Sequence, residues 1–409
     1  MTSPRVLVLS SLFPHAGAPG AGLFIRERMF RVAQRLPLSV VSPQPWFPGQ
    51  GLLRRFRRHF RPAAARQEVQ RGICVRMPRF FCIPAIGKSW DGLFMALACY
   101  PLLRRLRHQN EFDLIDAHFA YPDGHAATLL GRWLGVPVTV TLRGTEPRQA
   151  RSPALRPRLR QALARADRVI AVSASLRRVA LDLGADPARC EVIGNGVDPV
   201  LFAPQDRRAA RQALGVEHDA PVLISVGGLV ERKGFHRVIA LLPALRQQHP
   251  GLVYLVVGGG GPEGDMSPEL RAQVAALGLG EAVRFLGPLA PEALSGPLSA
   301  ADVFVLATRN EGWANVFLEA MACGLPVVTT DVGGNAEVVC RPELGRVVPF
   351  GDAPALQAGI DAALATPWDR AAIRRHALDN AWDTRVDRLV AMFQELSTAA
   401  LPAAAGQHP

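Results

Sequence analysis

"DVFVLATRNEGWANVFLEAMACGLPVVTT", residues 302–330, combines a strand, a loop, a helix and a second strand in one short stretch. Its β-forming residues end at Leu306, and a loop with charged residues separates them from an apolar helix expected to end near Cys323. "GLP" ends that helix, and "VVTT" belongs to the next strand. A strand–helix–strand unit of this kind predicts two parallel strands joined by a right-handed crossover.

The same alternation of apolar strands and helical stretches runs through the chain and predicts the α/β class. The turn-rich segment "GNGVDPVLFAPQD" (194–206) separates two sets of strands, so we expect two doubly wound, Rossmann-like domains that face each other across a cleft. The strand candidates are Arg5–Leu9, Leu38–Ser42, Asp113–Ala117, Val136–Thr141, Arg168–Val172, Val222–Val226, Leu252–Val257, Asp302–Leu306 and Val327–Thr330.

This pattern divides the chain into a first domain at 1–200 and a second domain at 201–375. A C-terminal helix at 376–397 carries apolar residues at helical spacing, from Trp382 to Phe393, and should pack back onto the first domain. The tail 398–409 is expected to be disordered.

The charge of the chain is uneven along its length. Residues 1–198 carry a balance of +17 and the remainder −5, within a net charge of +12 over 409 residues. A basic half indicates an anionic partner such as phospholipid, lipid-linked phosphate or nucleic acid. The densest basic run, residues 52–66, fits an amphipathic helix on an anionic inner-membrane surface, and it equally fits a solvated arginine-rich face.

Cysteine usage and hydropathy bear on the compartment. The six cysteines form no CxxC pair, which favours reduced thiols in a cytoplasmic protein. The best membrane-span candidate, residues 92–103, falls short of the ~20 residues that a crossing needs. The N-terminus has one arginine and a brief apolar run, which predicts a strand and not a signal peptide.

Ligands of open α/β sheets bind beyond the carboxyl ends of the strands, so the loops there are the candidate site. The loop after the first strand contains Gly17, Gly20 and Gly22, which would let backbone N–H groups approach a phosphate. In "GGLVERKGFHRVI", Arg232 and Lys233 stand together before a helix, and both side chains can bind phosphate oxygens. Lys233 is one of only two lysines in the chain.

The glutamates of the opening stretch bracket a helix N-terminus. Glu311 lies in the loop, Asn315 is the expected N-cap, and Glu319 lies about one turn inside the helix. The helix end offers free N–H groups and a positive dipole to a phosphate, while the two carboxylates can accept hydrogen bonds from hydroxyl groups. A sugar nucleotide presents both kinds of group.

The first domain offers weaker signals. His118 follows the strand candidate Asp113–Ala117 and should face the cleft, although a lone histidine is more often structural. Arg143, Gly144 and Glu146 likewise follow a strand in "TLRGTE".

Together these residues resemble family 4 of the glycosyltransferases, retaining sugar-nucleotide enzymes with the GT-B fold. The E-x7-E element formed by Glu311 and Glu319 carries the resemblance, supported by "GGLVERKG", "GNGVD" and "DVGGNAEVV". The resemblance implies that 1–200 is the acceptor-side domain and 201–375 the sugar-nucleotide-binding domain. It also implies that Arg232 and Lys233 hold the donor diphosphate, that Glu311 binds hydroxyls of the donor sugar, and that Glu319 binds the ribose. It further implies that backbone N–H groups near Asn315 and Val316 bind the sugar or its phosphate. His118 would lie beside the reacting sugar, and Gly22 would belong to a loop that closes over the phosphates.

Two residues depart from the pattern of many relatives, which have histidine where Arg143 stands and aspartate where Glu146 stands. The resemblance otherwise implies transfer of a sugar from a UDP- or GDP-linked donor to an acceptor hydroxyl with retention, without metal or cofactor. The acceptor would be a polysaccharide or a lipid-linked sugar at the cytoplasmic side of the inner membrane. The alternatives are another GT-B enzyme, an epimerase or a phosphorylase, or a non-enzymatic binder of membrane or nucleic acid. The basic runs contain no recognisable nucleic-acid reading module.

Overall fold

The computed structural model describes residues 3–56, 62–261 and 263–400. The chain divides into two compact units. Unit 1 contains the residues up to Asn195 and those from Asp383 onward, and unit 2 contains Gly196–Trp382. Both units are built around mainly parallel sheets with helices between the strands, so the predicted α/β class is confirmed.

Unit 1 contains an eight-stranded sheet with the order β10-β9-β8-β7-β1-β2-β5-β4 and a separate parallel pair, β3 and β6. All neighbours in the large sheet are parallel except β4 and β5. The four residues of β1 and the five of β7 are buried, as expected for central strands covered on both faces. The strands are β1 Val6–Leu9, β2 Leu38–Val41, β3 Gln44–Trp46, β4 Gln67–Gln70, β5 Ile73–Arg76, β6 Arg79–Phe81, β7 Leu114–His118, β8 Val138–Leu142, β9 Arg168–Ala171 and β10 Cys190–Val192.

The helices of unit 1 cover this sheet. Helix α16 contributes Val386, Leu389 and Phe393 to the same buried cluster as β1 and α1, which is the position expected for the C-terminal helix. The helices are α1 Leu23–Val32, α2 Gln50–Phe56, α3 Asp91–His108, α4 His125–Leu134, α5 Glu146–Ala150, α6 Arg156–Arg165, α7 Ala174–Asp182 and α16 Trp382–Ala400.

Unit 2 contains one six-stranded parallel sheet with the order β13-β12-β11-β14-β15-β16. This is the order of a dinucleotide-binding fold, in which the connections reverse direction between β11 and β14. The strands are β11 Val222–Val226, β12 Val253–Val257, β13 Val283–Gly287, β14 Val303–Leu306, β15 Val327–Thr330 and β16 Gly345–Val348, and the helices are α8 Arg207–Ala213, α9 Phe235–Gln248, α10 Ser267–Ala276, α11 Ser295–Ala300, α12 Asn315–Ala322, α13 Asn335–Val338, α14 Ala353–Ala365 and α15 Arg370–Asp379.

The helix expected at 376–397 is interrupted. Helix α15 ends at Asp379 and α16 begins at Trp382. The carbonyl of Asn380 accepts a hydrogen bond from the N–H of Val197 at 3.2 Å, and Trp382 donates to the carbonyl of Val197 at 3.2 Å. Pairing with Val197 replaces the helical hydrogen bonds, so residues 376–379 belong to unit 2.

Two expectations lie partly outside the described residues. The basic run at 52–66 includes 57–61, and the tail at 398–409 includes 401–409. Within the described part of the run, Leu52 and Leu53 of α2 are exposed by 61% and 39%.

Candidate active site

The carboxyl ends of β11 and β14 place two loops side by side in unit 2. These strands are neighbours at the point where the strand order reverses. The loop after β11 contains Arg232 and Lys233, and the loop after β14 contains Thr308 and Glu311. The N–H of Arg309 donates to the carbonyl of Arg232 at 2.7 Å, and the Thr308 hydroxyl oxygen lies 3.0 Å from the same carbonyl. The loops after β11 and β14 are therefore in direct contact with each other.

Glu311 is the residue that connects the side chains of these two loops. Its Oε1 accepts hydrogen bonds from Lys233 Nζ at 2.6 Å, Thr308 Oγ1 at 3.2 Å and Arg232 Nη1 at 3.3 Å. The side chains of Glu311 and Lys233 are 9% and 13% exposed, so both charges are largely removed from water. Such a carboxylate is stable because two cations and a hydroxyl share it. The structure thus brings Arg232, Lys233 and Glu311 together.

Arg232 has a second carboxylate partner on the turn that follows β12. Its Nε lies 2.8 and 2.9 Å from the two carboxylate oxygens of Glu263, whose side chain is half exposed. Arg232 itself is 29% exposed. A phosphate that reaches Arg232 therefore meets a guanidinium already held by Glu263 and Glu311, of which Glu263 is much the more accessible.

Helix α12 begins next to Glu311, with one difference from the sequence expectation. Ala314, in an extended conformation, is the N-cap, and Asn315 is the first helical residue. An alanine side chain cannot accept a hydrogen bond from the first turn, so α12 has no side-chain cap at its N-terminus. Asn315 and Val316, whose backbone was expected to meet the ligand, are half-buried in this first turn.

Glu319 lies one turn further along α12 and is also half-buried. Burial raises the pKa of its carboxyl to about 7, and the nearby charge of Lys233 opposes that rise. Among the described residues, no donor lies within hydrogen-bonding distance of this carboxylate. Glu319 can therefore accept a hydrogen bond from a ligand hydroxyl.

Gly333 supports the Glu311 loop from the segment after β15. Its φ of +56° lies in the left-handed region, and a Cβ placed on it would come within 1.7 Å of the Glu311 carbonyl oxygen. Only glycine combines that backbone conformation with so close an approach. The "DVGGNAEVV" segment thus fixes the position of the loop that carries Glu311.

In unit 1, His118 is the last residue of β7 and its side chain is fully buried. Its Nδ1 accepts hydrogen bonds from Arg143, with Nη2 at 2.9 Å and Nε at 3.3 Å. An Nδ1 that accepts requires the ring proton on Nε2, which lies 3.3 Å from Oδ2 of Asp116. The strand β7 runs one residue further than expected, so His118 is its last residue and not the first residue of the loop that follows.

Burial lowers the pKa of His118 to about 4, and the charge of Arg143 lowers it further, while Asp116 acts in the opposite direction. The ring is therefore neutral at pH 7. Arg143 is almost as buried, donates from Nη1 to Oδ1 of Asn195 at 2.7 Å, and lies 5.4 Å from the ring centre of Phe24. His118 and Arg143 form one internal network of unit 1.

The other two predicted residues of unit 1 have structural contacts. Glu146 is fully buried, and its carboxylate accepts hydrogen bonds from the N–H groups of Gly144 at 2.8 Å, Ala120 at 3.2 Å and Arg143 at 3.4 Å. Burial raises the pKa of Glu146, and these N–H groups oppose the rise. Gly22 precedes α1 with a φ of +68°, close against the carbonyl of Leu12.

Sequence reasoning missed Thr308, Glu263 and Asp116. Thr308 stands three residues before Glu311 at the end of β14, so its position in the site loop was a usable signal. Glu263 reaches Arg232 across 31 positions of the chain, and only the tertiary structure reveals that pair. Asp116 shares β7 with His118, two residues away on the same face of the strand.

The described residues lack two further kinds of feature. No group of three or more histidine, cysteine, aspartate or glutamate side chains is arranged to hold a metal ion there. Nor does that part of the chain contain a helix with the length and apolar character needed to cross a membrane.

Comparison with known proteins places the chain in a family. The profile of "Glycosyl transferases group 1" matches residues 206–380, and that of "Glycosyltransferase Family 4" matches residues 56–201. A D-inositol 3-phosphate glycosyltransferase of Corynebacterium urealyticum is 30% identical over 377 residues, covering 87% of this chain and 88% of that protein. A protein of the same description from Geodermatophilus obscurus is 39% identical over 260 residues, 60% of this chain and 57% of that protein.

Solved structures agree on the fold. Sucrose-phosphate synthase from Thermosynechococcus elongatus has a TM-score of 0.75 at 22% identity, covering 97% of this chain and 100% of that chain. Anabaena HepE in complex with UDP has a TM-score of 0.72 at 22% identity, covering 96% and 100%. The predicted pair of Rossmann-like domains is confirmed, and the chain belongs to glycosyltransferase family 4, the GT-B glycosyltransferases.

Proposed function

We propose that this glycosyltransferase moves a sugar from a nucleoside-diphosphate sugar to an acceptor hydroxyl with retention of the anomeric configuration. The observation that carries the proposal is the arrangement of Lys233 and Arg232 on Glu311, beside the N-terminus of α12. Two cations and a helix end suit a diphosphate, and two carboxylates suit sugar and ribose hydroxyls. This combination lies where the strand order reverses, the expected ligand site of such a sheet.

The proposed chemistry breaks the bond between the anomeric carbon and the β-phosphate oxygen. Negative charge grows on the departing diphosphate, and Lys233, Arg232 and the first N–H groups of α12 would stabilise it. Preorganised groups of this kind lower barriers by about 3 to 4 kcal/mol each in enzymes where they have been removed. Glu311 would hold Lys233 and Arg232 in position and accept hydrogen bonds from donor-sugar hydroxyls.

Retention follows if the acceptor hydroxyl attacks from the face that the phosphate leaves. The new bond joins the acceptor oxygen to the anomeric carbon, and the acceptor proton passes to an oxygen of the departing phosphate. No nucleophilic carboxylate of the protein is needed in this scheme. The role of His118 beside the reacting sugar stays a prediction.

The protein's own cations would take the part that a divalent metal plays for other diphosphate leaving groups, so we expect transfer to continue in EDTA. A strict requirement for added magnesium or manganese would contradict transfer without a metal ion. No further cofactor is proposed.

For the donor, the UDP complex of the neighbour HepE supports a uridine nucleotide, with a GDP-linked sugar as the second choice. For the acceptor, the relatives' names point to an inositol phosphate, whereas the resemblance in sequence favoured a polysaccharide or lipid-linked sugar. Both acceptor classes therefore belong in the assay.

An association with an anionic inner-membrane surface, on the cytoplasmic side, remains part of the proposal. The exposed Leu52 and Leu53 of α2, at the start of the basic run, support it. Co-sedimentation with phosphatidylglycerol vesicles should fall when both leucines are replaced by serine. Unchanged co-sedimentation would contradict the proposed role of Leu52 and Leu53 in membrane association.

The test of the function is product formation by the purified protein. UDP-, GDP- and ADP-sugars are each incubated with an inositol phosphate, with a lipid-linked acceptor and without acceptor, and products are analysed by NMR for linkage configuration. We expect an acceptor-dependent glycoside with the anomeric configuration of the donor. Conversion of the donor without acceptor would instead indicate an epimerase, and an inverted glycoside would contradict retention.

A further inference from the structure

A cavity of about 420 Å³ in unit 1 lies apart from the residues assigned above. It is bordered by β4, β5, β6 and α3, together with the connection from β5 to β6. Its volume is within the range of small-molecule sites, about 300–1,000 Å³. The lining residues of interest are Arg66, Arg76, Arg79 and Arg105, with Met77 and Leu102.

The charge of this arginine cavity is the notable feature. Four of its nine lining side chains are arginines, and no aspartate or glutamate lines it. Arg76 pairs with Glu111 outside the lining, at 2.9 Å. Elsewhere in the described residues, no carboxylate pairs with the side chains of Arg66, Arg79 or Arg105, which are all exposed. Three guanidinium groups are thus available around one cavity.

The apolar part of the lining narrows the choice of ligand. Met77 is buried, and Leu102 and Ala98 of α3 are half-buried beside the arginines. Guanidinium groups bind phosphate oxygens through paired N–H donors, and methyl and methylene groups bind an apolar substituent. A bare inorganic anion would contact only the guanidinium groups and not the apolar side chains.

We infer that the arginine cavity binds a phosphate group, carried by a ligand with an apolar portion. The phosphate contacts Arg66, Arg79 and Arg105, and the apolar portion contacts Met77 and Leu102. A lipid headgroup and a free phosphate ester share this chemistry. The inference does not depend on the donor site of unit 2, because all the residues that line the cavity belong to unit 1.

The test is calorimetric titration of the full chain with inorganic phosphate, dihexanoyl phosphatidic acid and dihexanoylglycerol. The variant is Arg79→Gln/Arg105→Gln, and the matched control is Arg104→Gln, an exposed neighbour on α3 that does not line the cavity. Binding of phosphate at the donor site would be common to both proteins and would cancel in the comparison.

We expect phosphatidic acid to bind at least about tenfold more weakly to the double variant than to the control, as loss of charge-assisted hydrogen bonds predicts. A similar loss for inorganic phosphate would identify free phosphate as a sufficient ligand, and a loss for phosphatidic acid alone would identify a lipid. Equal affinities in variant and control, or equally tight binding of dihexanoylglycerol, which has no phosphate, would overturn the inference.

Discussion

Units 1 and 2 both collect charged side chains at the carboxyl ends of central strands, but they differ in how accessible those charges are. In unit 2, Arg232 remains 29% exposed and Lys233 13% exposed around Glu311. In unit 1, His118 is fully buried, and the Arg143 that binds it is 9% exposed. The contacts of Arg143 are complete within its own unit, whereas Arg232 shares its charge with an exposed glutamate, Glu263.

This difference separates two uses of buried charge. A cation that stays partly exposed and paired with a movable carboxylate can exchange that partner for a ligand. A cation enclosed with its partners mainly determines the local structure, since losing one partner leaves the others unsatisfied. Substitutions in unit 2 should therefore affect activity, and those in the unit 1 network should affect stability.

The largest effect is expected for Lys233→Ala. Removing the ammonium group 2.6 Å from Glu311 should lower kcat/KM by about 10³-fold, because one preorganised donor to the developing charge is lost. Thermal unfolding should change less than in Arg143→Met, because Arg232 still pairs with Glu311. The control is Arg309→Ala on the neighbouring loop, an exposed side chain that pairs with exposed Glu231 and should keep near-normal kcat/KM. Wild-type turnover in Lys233→Ala would remove its proposed role.

Gly333→Ala should have the next largest effect on activity. An added Cβ would collide with the Glu311 carbonyl, and displacement of a site loop by about 1 Å can cost about 10²-fold in rate. Gly278→Ala is the matched control, since Gly278 has a similar φ of +65° with no atom within 4 Å of the added Cβ. Gly278→Ala therefore introduces the backbone strain without the steric collision. Equal kcat values in the two variants would show that the Glu311 loop is not held by Gly333.

Arg143→Met should lower stability more than activity, in contrast to the two substitutions in unit 2. It removes the donors to His118 Nδ1 and to Asn195 Oδ1, so the free energy of unfolding should fall by about 2 kcal/mol. Denaturant titration of this variant and of Lys233→Ala measures the contrast directly. If Lys233→Ala were the more destabilised of the two, the distinction between the units would fail.

The last prediction concerns Glu319, whose effect is confined to stability and depends on pH. Its pKa is raised from 4.5 to about 7 in the folded state, so the folded protein holds a proton that the unfolded chain has already released. This carboxyl therefore destabilises the fold progressively as pH rises from 4.5 to about 7, and fully above it. Glu319→Gln lacks the effect, so its Tm should exceed that of the wild type at pH 8 and approach it near pH 4.5. A Tm difference that is constant with pH would contradict the raised pKa.

The sequence predicts the centre of the fold better than its edges. β1 and β14 are continuous apolar runs and β11 is broken only by Ser225, because helices cover both their faces; these strands and β7 were each expected within a residue or two. Edge strands such as β13, "VRFLG", and β4, "QEVQ", were missed. They carry polar residues on accessible faces, and pairing with a distant strand defines them.

The site shows the same division. Arg232, Lys233 and Glu311 could be predicted because each follows a recognisable strand, and neighbouring strands bring their loops together. The burial of His118 could not be predicted, because it depends on side chains from β8 and from the end of unit 1's first segment. The N-cap of α12 differs by one residue, since Asn315 has a helical and not an extended backbone.

The most direct measurement is a crystal structure of the protein soaked with UDP and, separately, with GDP. The account predicts diphosphate oxygens within hydrogen-bonding distance of Lys233 Nζ and of the first N–H groups of α12, with Arg232 released from Glu263 and bound to phosphate. A diphosphate bound elsewhere at saturating concentration, with the Arg232–Glu263 pair intact, would contradict it.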